Sequence, residues 1–205
     1  IKMNPFLARH KEKSELNQYW YSKPTIEFMA SQCEANGKRI AFLSTPSIYF
    51  SLKNKEIKDN SVCMDVSITN LKSNFFFSLL DENFGKKLKP ECFYAYDFNK
   101  PEEIPKEMLG TFDMVVCDPP FITREVGKNT QTRQDTSAAD ENGKPVGNIF
   151  CSTIDENKEF MKELLDVDPI AFRPSIPNLV YQYSFYTNFK HPDQEIKNPE
   201  VNLEP

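Results

Sequence analysis

Residues 112–121 read Phe-Asp-Met-Val-Val-Cys-Asp-Pro-Pro-Phe. The run 112–117 is short, apolar and β-prone, the composition of a strand covered on both faces of a sheet, and it stops on Asp118. Pro119 and Pro120 follow. Two consecutive prolines remove two backbone donors and fix φ at both positions, so the carbonyls of Asp118 and Pro119 are held out of helical bonding and can accept hydrogen bonds. Ligands of an open α/β sheet sit outside the carboxyl ends of its strands. This corner therefore faces the expected pocket, the plainer alternative being a strand that simply ends in a Pro-Pro turn.

Working toward the N-terminus, 39–44 contains the apolar run Ile40-Ala41-Phe42-Leu43, which reads as a central parallel strand. Ahead of it, Ser22 can cap a helix starting at Lys23-Pro24. Ile26, Met29, Ala30 and Cys33 fall on one face of that helix, and Gly37 closes it. Pro46 suits the first turn of a helix after the strand. Further strands are expected at 75–80, 92–96, 148–152, 170–172 and 179–189, with a helix at 155–165 that turns Phe160, Leu164 and Leu165 inward. Strands alternating with helices make this an α/β chain with a mostly parallel, seven-stranded Rossmann-like sheet and helices on both faces. The last two strands lie close in sequence across a Pro-rich turn, which predicts an antiparallel hairpin at one edge.

One domain over 1–205 is expected, with 1–16 as an N-terminal extension and 53–72 and 123–147 as polar loops. Within 53–72, one short element around 62–68 is the most the pattern supports. The chain opens on Ile1 rather than Met, which leaves a longer native N-terminus open. No stretch approaches the length of an apolar membrane span, and the first residues lack a signal-peptide core. A monomer in the cytoplasm is the expectation. Five cysteines without a C-x-x-C pair, and only two histidines, give a zinc cluster little to work with. A formal charge of -5 argues against a surface built to neutralise many phosphates.

Three expected strands end in an acid: Asp81, Asp97 and Asp118. Asp81 is placed to bond ribose hydroxyls, while Asp97, followed by Phe98, could accept from an adenine amino group under the ring. Each taken alone also reads as a solvated turn residue. At the diproline corner, the carbonyls and the Asp118 carboxylate can aim the lone pair of an uncharged amine in line with a sulfonium methyl. Phe121 offers an aromatic face to the cationic centre or to a planar substrate group.

The Asp-Pro-Pro-Phe element resembles the signature of amino-methyltransferases, shared by adenine-N6, glutamine and some lysine enzymes. Other stretches are similar to the family of elongation factor 1-alpha lysine methyltransferases, first classed as N6-adenine methyltransferases. They are Asn17-Gln18-Tyr19-Trp20-Tyr21-Ser22, Leu43-Ser44-Thr45-Pro46-Ser47-Ile48-Tyr49, Tyr96-Asp97-Phe98-Asn99-Lys100-Pro101, and Phe172-Arg173-Pro174 with Asn178-Leu179. The resemblance implies a class I fold and S-adenosylmethionine as cofactor. It also implies that Ser44, Thr45, Pro46 and Ser47 replace the usual Gly-rich loop, although without the family they would read as a helix cap. Tyr21 and Ser22 would close over the cofactor, Asp81 and Asp97 would hold its ribose and adenine sides, and Asp118 to Phe121 would be catalytic. Trp20 also reads as a core anchor. The chain departs from the family at 53–72, which is longer and more polar, and at 127–147, which lacks an amphipathic helix and so alters the substrate-side wall.

The resemblance implies a protein-lysine methyltransferase with elongation factor 1-alpha as partner. An adenine-N6 nucleic-acid enzyme is the alternative; its best basic patch, Lys86, Lys87 and Lys89, reads more simply as a solvated turn, so nucleic acid is not the expected partner. A noncatalytic cofactor-binding module is the third reading, and the intact Asp118-Pro119-Pro120 speaks against it.

Overall fold

The computed structural model describes residues 4–12, 19–65, 90–95, 104–118 and 146–201. Helix α1 (Lys23–Asn36) starts as its sequence predicts: the Ser22 side chain accepts from the Thr25 N–H, Pro24 sits in the first turn, and Gly37 closes the helix in an extended conformation. Strand β1 (Ile40–Leu43) is buried throughout. Pro46 opens the short helix α2 (Pro46–Ser51).

The stretch 53–72 is not simply a polar loop. It begins with helix α3 (Lys55–Asn60), capped by the Asn54 side chain, and continues into strand β2 (Val62–Asp65). Val62, Cys63 and Met64 are all buried. Three apolar residues flanked by polar ones give a faint sequence signal, yet all three, Val62 to Met64, pair with β1. The expected strand at 75–80 lies outside the described residues, as do Asp81, Asp97, Phe98, Pro119, Pro120, Phe121 and the stretch 123–145.

Strands β3 (Phe93–Ala95), β4 (Met114–Cys117), β5 (Asn148–Ile154), β6 (Asp168–Pro169) and β7 (Tyr183–Thr187) complete a seven-stranded sheet of order β3-β2-β1-β4-β5-β7-β6. The pairs among β3, β2, β1, β4 and β5 are parallel; β7 runs antiparallel to β5 and β6. The sixth strand falls at 168–169 rather than 170–172. After Ile170 donates to the Phe185 carbonyl, Ala171 and Phe172 turn their N–H groups to the carbonyl of Gln194, so the chain leaves the sheet to meet the C-terminal segment. The last strand is shorter than its apolar run, because Val180 and Tyr181 are exposed.

Alternation along the strands sorts the core onto the two faces of the sheet. Ile40, Phe42, Met114, Val116, Phe150 and Phe185 pack with Ile26, Met29 and Cys33 of α1 and with Ile48 and Tyr49 of α2. Ala41, Leu43, Val115, Cys117, Ile149, Cys151 and Tyr186 pack with Met161 and Leu165. Those two residues belong to helix α4 (Lys158–Leu165), which follows a 3-10 turn at Asp155–Asn157. Met161, rather than Phe160 or Leu164, is the second buried anchor of that helix. Near the N-terminus, Phe6 is buried edge-on to Trp20 at 5.0 Å and stacked with Phe50 at 6.0 Å, and Asn4 donates to Ser51, so residues 4–12 dock on α2.

Phe150 is the hub of the α1-side core. Its ring meets Phe185 at 5.0 Å, Phe189 at 6.3 Å and Phe28 at 6.4 Å, all close to perpendicular. Phe150→Ala is expected to cost about 3–5 kcal/mol. In urea titrations this appears as a lower midpoint with an unchanged slope.

Candidate active site

The order of this sheet reverses between β1 and β4, and both strands end at the same level. Leu43 pairs with Cys117, and the N–H of Asp118 donates to the carbonyl of Leu43 at 3.3 Å. Ser44 and Asp118 therefore stand together just beyond the carboxyl ends of two neighbouring strands, the place where open α/β sheets bind ligands. β2 reaches the same edge and ends on Asp65, next to β1. The sequence reading passed over Asp65, although an acid closing a β-prone run was the signal used elsewhere.

Ser44 has φ 55°, in the left-handed region where a side chain is unfavourable. Its N–H donates to the carbonyl of Met64 at 2.8 Å, which holds the turn. Thr45 occupies the N-cap of α2 without capping it. Its hydroxyl is buried with no hydrogen-bond partner among the described residues. Pro46 and Ser47 are buried in the first turn that follows. A buried hydroxyl left unsatisfied costs about 1–3 kcal/mol, and one lying at a switch point is open to a polar ligand group.

At β4, the Asp118 carboxylate accepts from the hydroxyl of Ser152 at 2.5 Å, and that hydroxyl accepts from the phenol of Tyr21 at 2.8 Å. Ser152 lies on β5, fully buried. Register explains the meeting, because Cys117 is opposite Cys151 and the next residue on each strand is Asp118 and Ser152. Tyr183, the first residue of β7, pairs with Ile154 at the same rim. Burial, and then the negative charge of Asp118, hold the phenols of Tyr21 and Tyr183 above the ordinary value. Ser152 and Tyr183 were not among the residues singled out from sequence, since a lone serine inside a strand carries no local signal.

Tyr21 is thus brought to Asp118. Ser22, its neighbour, is turned to the start of α1, where its hydroxyl bonds Thr25 and Glu200. Both also border an open hollow of about 370 Å³ with Leu7, Glu12, Trp20, Lys23 and Pro177. Among the described residues the buried indole N–H of Trp20 has no hydrogen-bond partner, while its backbone N–H donates to Glu12 at 2.9 Å. Among the described residues, no group of three His, Cys, Asp or Glu could hold a metal ion. No helix among them is long and apolar enough to cross a membrane.

The strand order and the rim define a Rossmann-like class I methyltransferase fold. The O-methyltransferase TomG of Streptomyces achromogenes, solved with SAM, superposes with TM-score 0.58 at 9% identity over 91% of this chain and 90% of that one. A precorrin-6y C5,15-methyltransferase of Geobacter metallireducens gives 0.56 at 10% identity, covering 92% and 98%. The family model described as "Probable N6-adenine methyltransferase" matches residues 12–191. EEF1A lysine methyltransferase 1 of Mus musculus is 30% identical over 185 residues, 87% of this chain and 76% of that protein. The protein-lysine N-methyltransferase EFM5 of Saccharomyces cerevisiae is 25% identical over 88% of this chain and 73% of its own. The Gallus gallus EEF1A lysine methyltransferase 1 is 33% identical over 124 residues, and the match spans 51% of its length. The chain belongs to this methyltransferase family, the one that includes the EEF1A lysine methyltransferases.

Two outcomes follow from this geometry. Ser44→Gly is expected to stabilise the protein by about 1 kcal/mol, because glycine adopts a positive φ without strain; thermal unfolding of the variant beside the parent checks it. Stability is also expected to fall in alkali. The native phenols of Tyr21, Tyr183 and Tyr186, the last pushed up to about 12 by burial first, keep their protons longer than unfolded tyrosine does. Their contribution is complete below about pH 10 and is lost as pH rises through the native values. Urea midpoints measured across that range should decline, and less steeply in Tyr21→Phe.

Proposed function

We propose that this chain is an S-adenosylmethionine-dependent protein-lysine N-methyltransferase acting on elongation factor 1-alpha. The observation that carries the reading is Asp118: it follows β4 directly at the switch point, its carboxylate is held by Ser152, and Pro119-Pro120-Phe121 follows in sequence. When bound, S-adenosylmethionine supplies an electrophilic methyl group on a sulfonium. The residues present fit that cofactor, since the buried Thr45 hydroxyl, without a partner among the described residues, lies beside the strained Ser44 turn. We assign Ser44, Thr45, Pro46 and Ser47 to the cofactor side, with Tyr21 and Ser22 as the cover. Asp81, Asp97 and Phe98 join them on the strength of the sequence pattern.

The chain's own work is to receive a lysine amine as the uncharged base and orient it. Desolvation disfavours the ammonium form, so taking the lysine out of water lowers its pKa. Acceptors drawn from the Asp118 carboxylate and the carbonyls of Asp118 and Pro119 take the amine's two N–H bonds and so aim its lone pair. From its place in the sequence pattern, we assign Phe121 as the aromatic group for the cationic centre. The relatives named for EEF1A support the substrate. The net charge of -5 suits a basic protein target better than a phosphate backbone. A monomer acting in the cytoplasm is part of the same proposal.

Incubation with labelled S-adenosylmethionine and purified elongation factor 1-alpha should place label on lysine, located by peptide mass mapping. Asp118→Ala should lower the rate by at least about 100-fold with the fold intact by circular dichroism. Label on DNA or RNA and none on protein would reverse the choice of substrate.

A further inference from the structure

On that functional reading, we infer that Ser152 is a positioning residue for methyl transfer: together with Tyr21 it forms a hydrogen-bond chain of fixed direction that locks the Asp118 carboxylate in one orientation. The two links cross 131 and 34 residues of sequence. A serine at a fully buried position of β5 is a poor choice on packing grounds alone. Phe150, two residues earlier on the same face, fills the core, and Ser152 itself is fully buried. A buried hydroxyl is tolerated there when its bonds are made, and here both are made toward the catalytic corner.

The direction of the chain follows from the chemistry of its members. An ionised carboxylate only accepts, so the one proton of Ser152 points at Asp118. The serine oxygen is then left to accept, and the phenol of Tyr21 must donate. Among the described residues, the groups that face Asp118 include Ser152 from β5, Tyr21 from the segment before α1, and Tyr183 from β7. Burial first, and the charge of Asp118 second, keep Tyr21 protonated far into alkali, so its donor is present at every working pH. No proton travels along the chain. Its effect is to restrain the carboxylate of Asp118, one residue past the end of its strand, from the side of β5, and to favour its charged form.

The test uses the full chain with Ser152→Ala, Ser152→Thr, Tyr21→Phe and the Tyr21→Phe/Ser152→Ala pair. Ser152→Ala should lower kcat on elongation factor 1-alpha by about 10- to 100-fold, with KM and S-adenosylhomocysteine affinity within about twofold. Its acid limb should move up by about one pH unit, because a donor to the carboxylate is gone. Ser152→Thr, which keeps the hydroxyl, should recover most of the rate. Tyr21→Phe should do less harm than Ser152→Ala, and the loss in the pair should be less than the sum of the two, since Tyr21 bonds Ser152 as well as facing Asp118 directly. A second measurement needs no substrate: the carbon-13 titration midpoint of the Asp118 carboxylate should rise in Ser152→Ala and, by less, in Tyr21→Phe. A wild-type kcat in Ser152→Ala with an unmoved Asp118 midpoint overturns the inference, as does additive loss in the pair. If Ser152→Ala does not fold, Ser152→Thr and Tyr21→Phe decide by the same criteria. A parent enzyme that leaves the elongation factor unlabelled defeats the functional reading, and the carboxylate titration still decides the chain.

Discussion

The parallel ladder between β1 and β4 is the constraint on which the rest of the site depends. These strands are separated by most of the first half of the described chain, yet they run in register from Ile40 opposite Met114 to Leu43 opposite Cys117, and the bond from Asp118 to the Leu43 carbonyl closes the row. That row sets where both strands stop. It brings the Ser44 turn level with Asp118, and the pairing of β4 with β5 then brings Ser152 alongside. A slip of one residue would turn every side chain to the opposite face. The large apolar residues packed on each face make such a slip prohibitive, so the accuracy of the corner derives from the core beneath it.

The two ends of the described chain meet at the same place by different means. The segment before α1 is fixed through Ser22, whose N–H donates to the carbonyl of Ser175 at 2.8 Å, and through Thr25, whose hydroxyl accepts from the Ser175 N–H at 3.0 Å. Phe28 of α1 stacks flat on Phe172 at 3.7 Å. Asn198 donates to the carbonyl of Arg173 at 2.8 Å, which ties the C-terminal stretch to the same loop. These contacts surround Tyr21 with fixed neighbours, so its hydroxyl is presented to Ser152 from a rigid frame. Several neutral hydrogen bonds, each worth about 1 kcal/mol, suffice because the aromatic core carries the burial.

Much of the architecture could be read from residue order. The cap at Ser22, the stop at Gly37, the apolar run of β1 and the strand ending at Asp118 are local signals, and local signals survive into the fold. The antiparallel edge was legible from the short link between the last strands. Strand β2 was legible only as one short element around 62–68, because Val62, Cys63 and Met64 are few among polar neighbours and owe their burial to β1 and β3 beside them, and helix α3 ahead of it gave no signal. Strand β6 was misplaced because Phe172 is apolar for the sake of Phe28, not of the sheet. At the site, Asp118 announced itself through its prolines, and Tyr21 and the Ser44–Ser47 turn entered by resemblance. Ser152 had neither signal. Its importance arises from register between strands, a property no single stretch of sequence displays.

All five cysteines are buried and none forms a disulfide. They are spread over α1, β2, the turn before β3, β4 and β5, and burial pushes the thiol of Cys33 far up from its usual value. Thiolate is the reactive form of the side chain, so each site becomes reactive when its own element opens to water. The chain thus carries a thiol gauge on nearly every layer of its framework. Cys117, immediately before Asp118, reports on the strand end that places the carboxylate, and the rate at which a small alkylating reagent reaches it measures how often that end comes apart.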